Sequence, residues 1–239
     1  MSATIELAGE AVALMSDGSL YWPATRTLLV ADAHIGKAAT FRASGIFVPR
    51  GTTTAALDRL DDALAVTGTK RVVFLGDLLH AREGRSPETL RVVEQWRASH
   101  ADLEIVLVRG NHDRSAGDPP ASLGIRCVGA PMVDGPFAFV HHPTIIEGKY
   151  VFAGHIHPAV RLSGPGRQHA RLACFWIRES YAVLPAFGDF TGQGIIEPTE
   201  HDRVFAIVEG SVIKVSCHPE ELRDEGSTIS RVDPSLRSG

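Results

Sequence analysis

Short runs of apolar, mostly β-branched residues constrain this chain most, because each run stops abruptly at polar side chains. Runs that are apolar at every position are typical of strands buried on both faces, as in the parallel sheets of α/β proteins. In chain order they are TLLVADAH (27–34), RVVFLGD (71–77), EIVLVRGNHD (104–113), FAFVHH (137–142) and YVFAGHIH (150–157). The sequence therefore predicts an α/β fold whose strands carry polar residues at their ends.

Two amphipathic segments between the first three runs predict helices. Residues 52–68 place alanine and leucine side chains on one face, and Gly68 is typical of the position just past a helix end. Residues 86–100 begin with Ser86 as an N-cap and Pro87 in the first turn. This alternation of strand and helix predicts βαβ units and a largely parallel sheet.

Beyond about residue 160 the predicted strands follow one another without long helices, which favours a second, mostly antiparallel sheet. Glu209-Gly210-Ser211 has the composition of a hairpin turn. Asp17-Gly18 predicts another hairpin near the N-terminus, and we assign it to the same second sheet. We expect one domain over residues 1–218 and a mobile polar tail over residues 219–239.

Composition excludes some classes of function. The formal net charge of −4 disfavours binding of nucleic acid over the whole surface, although it leaves room for a local basic groove. The cysteines are scattered and lack zinc-finger spacing, which favours a reducing compartment. No apolar run approaches the roughly 20 residues that span a bilayer. We therefore expect a cytoplasmic protein that is not bound to a membrane.

The polar residues at the run ends are mostly carboxylates and imidazoles, and ligands of open α/β sheets bind at the carboxyl ends of the strands. In an extended chain, residues i and i+2 point to the same side. Asp32 and His34 are therefore predicted to converge on one ion, as are His155 and His157. Carboxylate, amide and imidazole donors together suit Mn, Fe or Zn better than Ca. The donors exceed the needs of one ion, so we predict two, bridged by Asp77.

Each motif taken alone has an ordinary explanation. GNHD is compatible with a simple turn, and His80 alone with a surface residue. His141 and His142 are adjacent, so in a strand they would face opposite ways, and which of them is a ligand stays open. We prefer His141 because it lies better at the strand end. Five such endings in regular order favour a metal centre over coincidence.

The motifs DAH, GDLLH, GNHD, HH and GHIH resemble the pattern of the calcineurin-like metallophosphoesterase superfamily. The resemblance implies an α/β fold, a four-layer α/β/β/α sandwich with two mixed β-sheets and no large cap domain. Transferred residue by residue, its ligand sets are Asp32, His34, Asp77 and His157 for the first metal, and Asp77, Asn111, His141 and His155 for the second.

The same resemblance implies the chemistry of a phosphoesterase. A hydroxide that bridges two divalent ions attacks phosphorus, while Asn111 helps to position the phosphate. His112 acts as the general acid for the leaving oxygen, and Asp113 is the candidate to orient it.

A narrower resemblance covers nearly the whole chain except its tail. ADAHIGKAATFRASGIFVPRGTT (31–53), CFW (174–176) and LPAFGDFTG (184–192) are similar to the ligase-associated DNA damage response endonucleases, or PdeM-type phosphoesterases. This resemblance implies a manganese-dependent endonuclease or phosphodiesterase in bacterial DNA repair, beside a ligase and a helicase. The implied cofactors are two divalent ions, Mn first, with Fe or Zn as alternatives.

Cationic and aromatic side chains follow the metal motifs and suit a phosphodiester substrate such as DNA. The candidates for phosphate contacts are Lys37, Arg42, Arg50, His80 and Arg114. The candidates for base stacking are Phe41, Phe47, Phe187 and Phe190. The ordinary alternative is that these are solvated charges and core aromatics.

Two other functions remain open at this level. A compact site without a cap also suits a phosphohydrolase for a small metabolite, such as a nucleotide or a sugar-nucleotide. A catalytically inactive scaffold is the third hypothesis, as in the retromer subunit that resembles these enzymes, but retention of every ligand and of His112 argues against it. The sequence leaves the physiological substrate, the metal identity and the oligomeric state open.

Overall fold

The computed structural model describes residues 1–48, 51–80, 84–164, 168–189 and 191–215. Within these ranges two β-sheets pack face to face, as the superfamily resemblance implies. Arg50, Phe190 and the tail predicted over 219–239 lie outside the described residues.

The first sheet contains seven strands in chain order, and its first half is antiparallel. They are β1 (Ala3–Leu7), β2 (Glu10–Leu14), β3 (Leu20–Trp22), β4 (Thr27–Val30), β5 (Arg71–Phe74), β6 (Glu104–Val108) and β7 (Arg126–Val128). From β4 to β7 all pairs are parallel, which confirms the predicted βαβ units.

The α-helices of the described residues all precede residue 117, and they are α1 (Lys37–Ala43), α2 (Thr52–Thr67), α3 (Pro87–Ser99) and α4 (Asn111–Ala116). The predicted α2 is confirmed, with Gly68 in the left-handed conformation just past its end. The predicted α3 is also confirmed, because the Ser86 hydroxyl accepts the Thr89 N–H at 3.2 Å. Helices α1 and α4 were missed because they are too short to show a periodic apolar pattern.

The second sheet is mixed and contains the remaining strands. They are β8 (Met132–Asp134), β9 (Phe137–Phe139), β10 (Tyr150–Ala153), β11 (Pro158–Gly164), β12 (Gln168–Ile177), β13 (Tyr181–Val183), β14 (Gly194–Ile195), β15 (Arg203–Val208) and β16 (Ser211–Val215). The order is β14-β11-β12-β13-β10-β9-β8, and β15 pairs with β12 and β16. Glu209 and Gly210 form the predicted hairpin turn between β15 and β16.

The N-terminal hairpin forms as predicted, but it belongs to the other sheet. Strands β2 and β3 pair with each other, and β3 then pairs with β4, so the hairpin extends the first sheet. Trp22 on β3 packs edge-on against Phe137 of the second sheet, with ring centroids 4.8 Å apart. The assignment failed because a local pattern shows which side chains are buried and not which strand edge a hairpin will pair with.

Alternate residues of the central strands face two different cores. On β4, Leu29 points between the sheets, whereas Leu28 and Val30 point toward the helices. On β6, Val106 faces the second sheet and Leu107 faces the helices. The continuous apolar runs are therefore strands buried on both faces, as predicted.

Helices α2 and α3 cover the outer face of the first sheet. In the part of the chain that the structure describes beyond residue 123, no further helix occurs, so these residues do not form a second helical layer. The described residues also include no cap domain over the carboxyl ends of the strands. None of the described helices is long and apolar enough to span a membrane.

Candidate metal centre

Six of the seven predicted ligands lie in loops just beyond the strand ends, and Asn111 is the first residue of helix α4. Strands β4, β5 and β10 each end two or three residues before the first of them. Five of them have positive φ angles, at Asp32 (51°), His34 (44°), Asp77 (51°), His155 (70°) and His157 (51°). Left-handed residues other than glycine are uncommon and cluster at functional sites. The extended geometry assumed for the i, i+2 pairs is therefore wrong.

The left-handed loops gather the donor atoms into overlapping groups, each with its atoms within 4.8 Å of one another. The groups are Asp32, His34 and His157; Asp32, Asp77 and His141; and His141, His142 and His155. Asp32 and His34 thus converge as expected. His155 and His157 do not share a group: both are left-handed, and His157 groups with Asp32 and His34 while His155 groups with His141 and His142.

The two carboxylates are buried, and each holds its neighbouring loop with one oxygen. Asp32 Oδ2 accepts the N–H of His155 at 2.8 Å, and Asp77 Oδ1 accepts the N–H of His112 at 3.0 Å. The other two oxygens face imidazoles. Asp32 Oδ1 lies 3.4 Å from His157 Nε2, and Asp77 Oδ2 lies 3.4 Å from His141 Nε2.

Backbone carbonyl groups fix the tautomers of these imidazoles. His141 Nδ1 lies 2.9 Å from the carbonyl oxygen of Leu75, and His157 Nδ1 lies 2.8 Å from that of Gly192. A carbonyl oxygen only accepts, so each Nδ1 carries the hydrogen in the neutral ring. Each Nε2 consequently directs a lone pair at a carboxylate oxygen.

Acceptor atoms therefore face acceptor atoms at the centre of the site. His141 Nε2 lies 2.8 Å from Asn111 Oδ1 as well as near Asp77 Oδ2. Asp32 Oδ1 is buried and has no hydrogen-bond partner among the residues that the structure describes. Such an arrangement is costly without a positive charge between the atoms, and the carboxylate, amide and imidazole set fits divalent Mn, Fe or Zn.

Burial also sets the protonation of the site. Burial, followed by the nearby charges of Lys37 and the other histidines, lowers the pKa of His34 to about 2, so its imidazole is neutral and available as a ligand. Burial is likewise the main cause that raises the pKa of Asp77. A divalent cation would offset the cost of ionising this buried carboxyl group, because its positive charge favours the carboxylate form.

A family model described as calcineurin-like phosphoesterase matches residues 25–143. The crystal structure of the Pseudomonas putida nuclease MPE is 47% identical to this chain and superposes with a TM-score of 0.80. The match covers 90% of this chain and 100% of that chain. The chain belongs to the calcineurin-like phosphoesterases. It is accordingly a metal-dependent hydrolase of phosphate esters, in agreement with the sequence resemblance.

A second solved structure, of the E. coli phosphoesterase Yfce, is 15% identical, with a TM-score of 0.40 and coverage of 80% of this chain and 99% of that chain. A similarity of that extent bears on neither fold nor function. No curated protein matches the chain significantly.

Asp113 has a different task in this phosphoesterase from the one predicted. Its buried carboxylate accepts three backbone N–H groups, from Asp77 at 2.7 Å, Leu78 at 3.1 Å and Gly110 at 2.8 Å. His112 Nδ1 instead lies 2.9 Å from the carbonyl oxygen of His80. Asp113 therefore ties together the two loops that carry Asp77 and the GNHD motif, and the His80 carbonyl orients His112.

We expect Asp113→Ala to lower the free energy of unfolding by about 3 kcal/mol, because it leaves three buried N–H groups without an acceptor. Urea unfolding of the metal-free protein measures this change. Asp118→Ala is the control, since Asp118 makes an exposed ion pair with Arg109 whose loss should cost less than about 1 kcal/mol. Equal costs for the two variants would contradict the anchoring role of Asp113.

The predicted phosphate-contact residues differ in how near they lie to the centre. Burial lowers the pKa of Lys37, and the charges of Asp32 and Asp77 oppose that shift. His80 Nδ1 lies 3.3 Å from His34 Nδ1. Arg42 and Arg114 lie in the last turns of α1 and α4.

The aromatic residues predicted to stack on bases also differ in their distance from the site. Phe41 lies beside the site, with its ring centroid 6.5 Å from that of His80, and Phe47 is 93% exposed. Phe187 is buried in the core and lies beneath the guanidinium of Arg59, which corrects its prediction as a stacking residue.

The lowered pKa of His34 predicts a pH dependence of stability for the metal-free protein. Below pH 6.5 the unfolded state binds a proton that folded His34 does not accept until about pH 2, so folding is disfavoured as the pH falls. In His34→Gln we expect the loss of stability between pH 6.5 and pH 5 to be smaller by about 2 kcal/mol. Urea unfolding in a chelator measures both proteins, and parallel pH curves would contradict the buried neutral imidazole.

Proposed function

We propose that this phosphoesterase is a dinuclear, manganese-dependent nuclease that hydrolyses phosphodiester bonds in DNA. The observation that carries the proposal is the convergence of acceptor atoms from Asp32, Asp77, His141 and Asn111 beside the partly buried ring of His112. The 47% identity to a protein described as a nuclease supports the choice of nucleic acid as substrate. When bound, two divalent ions supply Lewis acidity and a nucleophilic hydroxide at neutral pH.

The contacts of His112 support its proposed role as the general acid. Its Nδ1 donates to the His80 carbonyl oxygen, so the proton for transfer resides on Nε2 of the imidazolium form. That Nε2 lies 3.9 Å from Asp77 Oδ2, and the ring stacks on His80 with centroids 5.0 Å apart at 25°. With its side chain 40% exposed, His112 can reach a leaving oxygen at the rim of the centre.

His112→Ala should lower the turnover of DNA by roughly 10²–10⁴-fold and leave metal binding unchanged. The loss should be much smaller for bis-p-nitrophenyl phosphate, because p-nitrophenolate leaves without a proton. Steady-state rates on both substrates, with metal content by elemental analysis, measure this contrast. Equal losses on both substrates would remove His112 from the role of general acid.

The open face of the site favours a polymeric substrate over a small metabolite. Asn111, His142 and His155 are exposed, and no cap covers them among the described residues. The charges of Asp32 and Asp77 act on Lys37, and Arg114 follows Asn111 by about one turn of α4. We propose that these cations, with Arg42 and His80, contact phosphates of the strand, which gives affinity with little base preference.

A substrate panel in the presence of Mn²⁺ tests the proposal. It comprises bis-p-nitrophenyl phosphate, p-nitrophenyl phosphate, a nucleotide, and single- and double-stranded DNA. We expect cleavage of the diester and of DNA and slower hydrolysis of the monoester, with Mn²⁺ more effective than Fe²⁺ or Zn²⁺. Preferred hydrolysis of the nucleotide with intact DNA would favour the small-metabolite alternative. Inactivity on every substrate with two metals bound would favour the scaffold.

We also propose a cytoplasmic role in DNA repair beside a ligase and a helicase. This rests on the sequence similarity to the ligase-associated endonucleases alone. Sensitivity of a deletion strain to DNA-damaging agents, rescued by the wild type and not by His112→Ala, would support it, and unchanged survival would contradict it.

A further inference from the structure

A third imidazole lies on the exposed side of the second metal position. The His142 ring contacts that of His155, with centroids 3.9 Å apart and planes at 56°. It also lies edge-on to His141, at 4.8 Å and 80°. One ring nitrogen from each of the three histidines lies within 4.8 Å of the other two.

The backbone explains how adjacent histidines reach one point. Strand β9 ends at Phe139, and residues 141 and 142 form a bend, so they do not alternate between two faces as strand residues do. The N–H of Gly154 donates to the carbonyl oxygen of His141 at 3.1 Å, which fixes the loop of His155 against this bend. Both exposed rings therefore lie over the buried ring of His141.

The surroundings show why a further donor is useful at this position. The ligands proposed here are Asp77, which is shared, the neutral amide of Asn111, and the imidazoles of His141 and His155. The first position has two carboxylates, because Asp32 adds a second negative charge close to His34 and His157. The second position is also more open, since Asn111 and His155 are exposed. It is thus the position with less charge and more contact with water.

We propose that His142 is an additional nitrogen ligand of the second metal position, beside His141 and His155. The proposal rests on the dinuclear centre of the proposed function. Imidazole is the commonest protein ligand of transition-metal ions such as Fe and Zn, and the three rings need only a small closure to bring their nitrogens to one ion. His142 raises the affinity of the more exposed position and so keeps the centre dinuclear when metal is scarce.

Calorimetric titration of the metal-free full chain with Mn²⁺ tests this inference without relying on activity. Wild type should bind two ions, and His142→Ala should bind the weaker one at least about tenfold less tightly, since even loss of a partner outside the ligand sphere costs 10–100-fold. His201→Ala is the matched control, because His201 is exposed and its ion pair with Glu200 involves no metal donor. It should titrate as wild type does.

Absorption of the Co²⁺-loaded proteins gives a second readout, because loss of a nitrogen ligand changes the intensity and position of the ligand-field bands. The inference is overturned if His142→Ala binds both Mn²⁺ ions within twofold of wild type and its Co²⁺ spectrum is unchanged. Weaker DNA cleavage with unchanged metal affinity would likewise overturn it and assign His142 to the substrate. If wild type itself binds fewer than two ions, the dinuclear centre fails, and the role of His142 fails with it.

Discussion

Asp77→Ala is expected to release metal from both positions and to slow phosphodiester hydrolysis by at least about 10³-fold, because the metals supply several kcal/mol of transition-state stabilisation. The carboxylate shares a group of donor atoms with Asp32 and His141, which also belong to the two outer groups. It lies 3.4 Å from His141 Nε2 and accepts the N–H of His112. Its removal takes away the shared negative charge and also frees the N–H of His112. Asp77→Asn should lose nearly as much activity, since the amide keeps the shape but not the charge.

Elemental analysis after dialysis against Mn²⁺, together with rates on bis-p-nitrophenyl phosphate, measures the loss. Asp189→Ala is a suitable control, because this acidic residue lies next to the His34 loop but pairs with Arg59 at 3.4 Å. The control should retain two ions and at least about half of the wild-type rate, as expected for an exposed pair. Two bound ions in Asp77→Ala would contradict its role as the bridge.

Gly76→Ala is expected to disable the site by steric collision. Gly76 has a φ of 86°, and a Cβ there would overlap the ring of buried His141. The left-handed backbone costs about 1–2 kcal/mol for alanine, and the forced shift of His141 costs about 1–3 kcal/mol more. Displacement of this ligand by about 1 Å should lower activity by at least about 100-fold.

Gly9→Ala separates the cost of the left-handed backbone from the cost of the steric collision. Gly9 has a φ of 80°, and no described atom lies within 4 Å of the position that the alanine Cβ would occupy. It carries the backbone cost without the collision. We expect it to be destabilised by about 1–2 kcal/mol in urea unfolding and to keep full activity and metal content. If Gly76→Ala matched Gly9→Ala in stability, metal content and rate, the tight packing of the GD motif against His141 would be wrong.

Close packing also explains why the GNHD motif has glycine at position 110. A Cβ on Gly110 would overlap Asp77 Oδ1 and lie 2.9 Å from its backbone nitrogen. The GNHD loop therefore approaches the GD loop more closely than any side chain permits, and Asp113 joins the two through their N–H groups. The glycines and Asp113 form the frame on which Asp77 and Asn111 are held.

Much of this fold was predictable, because its signals are local. Strands such as β4 and β6 are buried on both faces and so are apolar throughout, and α3 carries its own N-cap in Ser86. The pairing of the N-terminal hairpin with β4 was not predictable, since the edge that a strand joins depends on residues far away in sequence. Helix α1, which carries Lys37 and Arg42, was too short to detect.

For the candidate site, the sequence predicts which residues meet but not how their side chains are oriented. The residues that meet were predicted from their chemistry and their places at the ends of apolar runs. Their orientations were not, because they depend on left-handed residues such as His155 and on carbonyl groups such as that of Gly192. Backbone carbonyl acceptors cannot be detected in a pattern of side chains. The role of Asp113 was predicted wrongly for a similar reason, because its partners are backbone N–H groups.

The central claim is that two divalent ions sit on either side of Asp77, and anomalous diffraction tests it most directly. Data from a crystal grown with excess Mn²⁺ should be collected above and below the manganese absorption edge. The account predicts two anomalous peaks about 3.5–4 Å apart, one among Asp32, His34 and His157 and one among Asn111, His141 and His155. A single peak, no peak, or peaks away from Asp77 would contradict it.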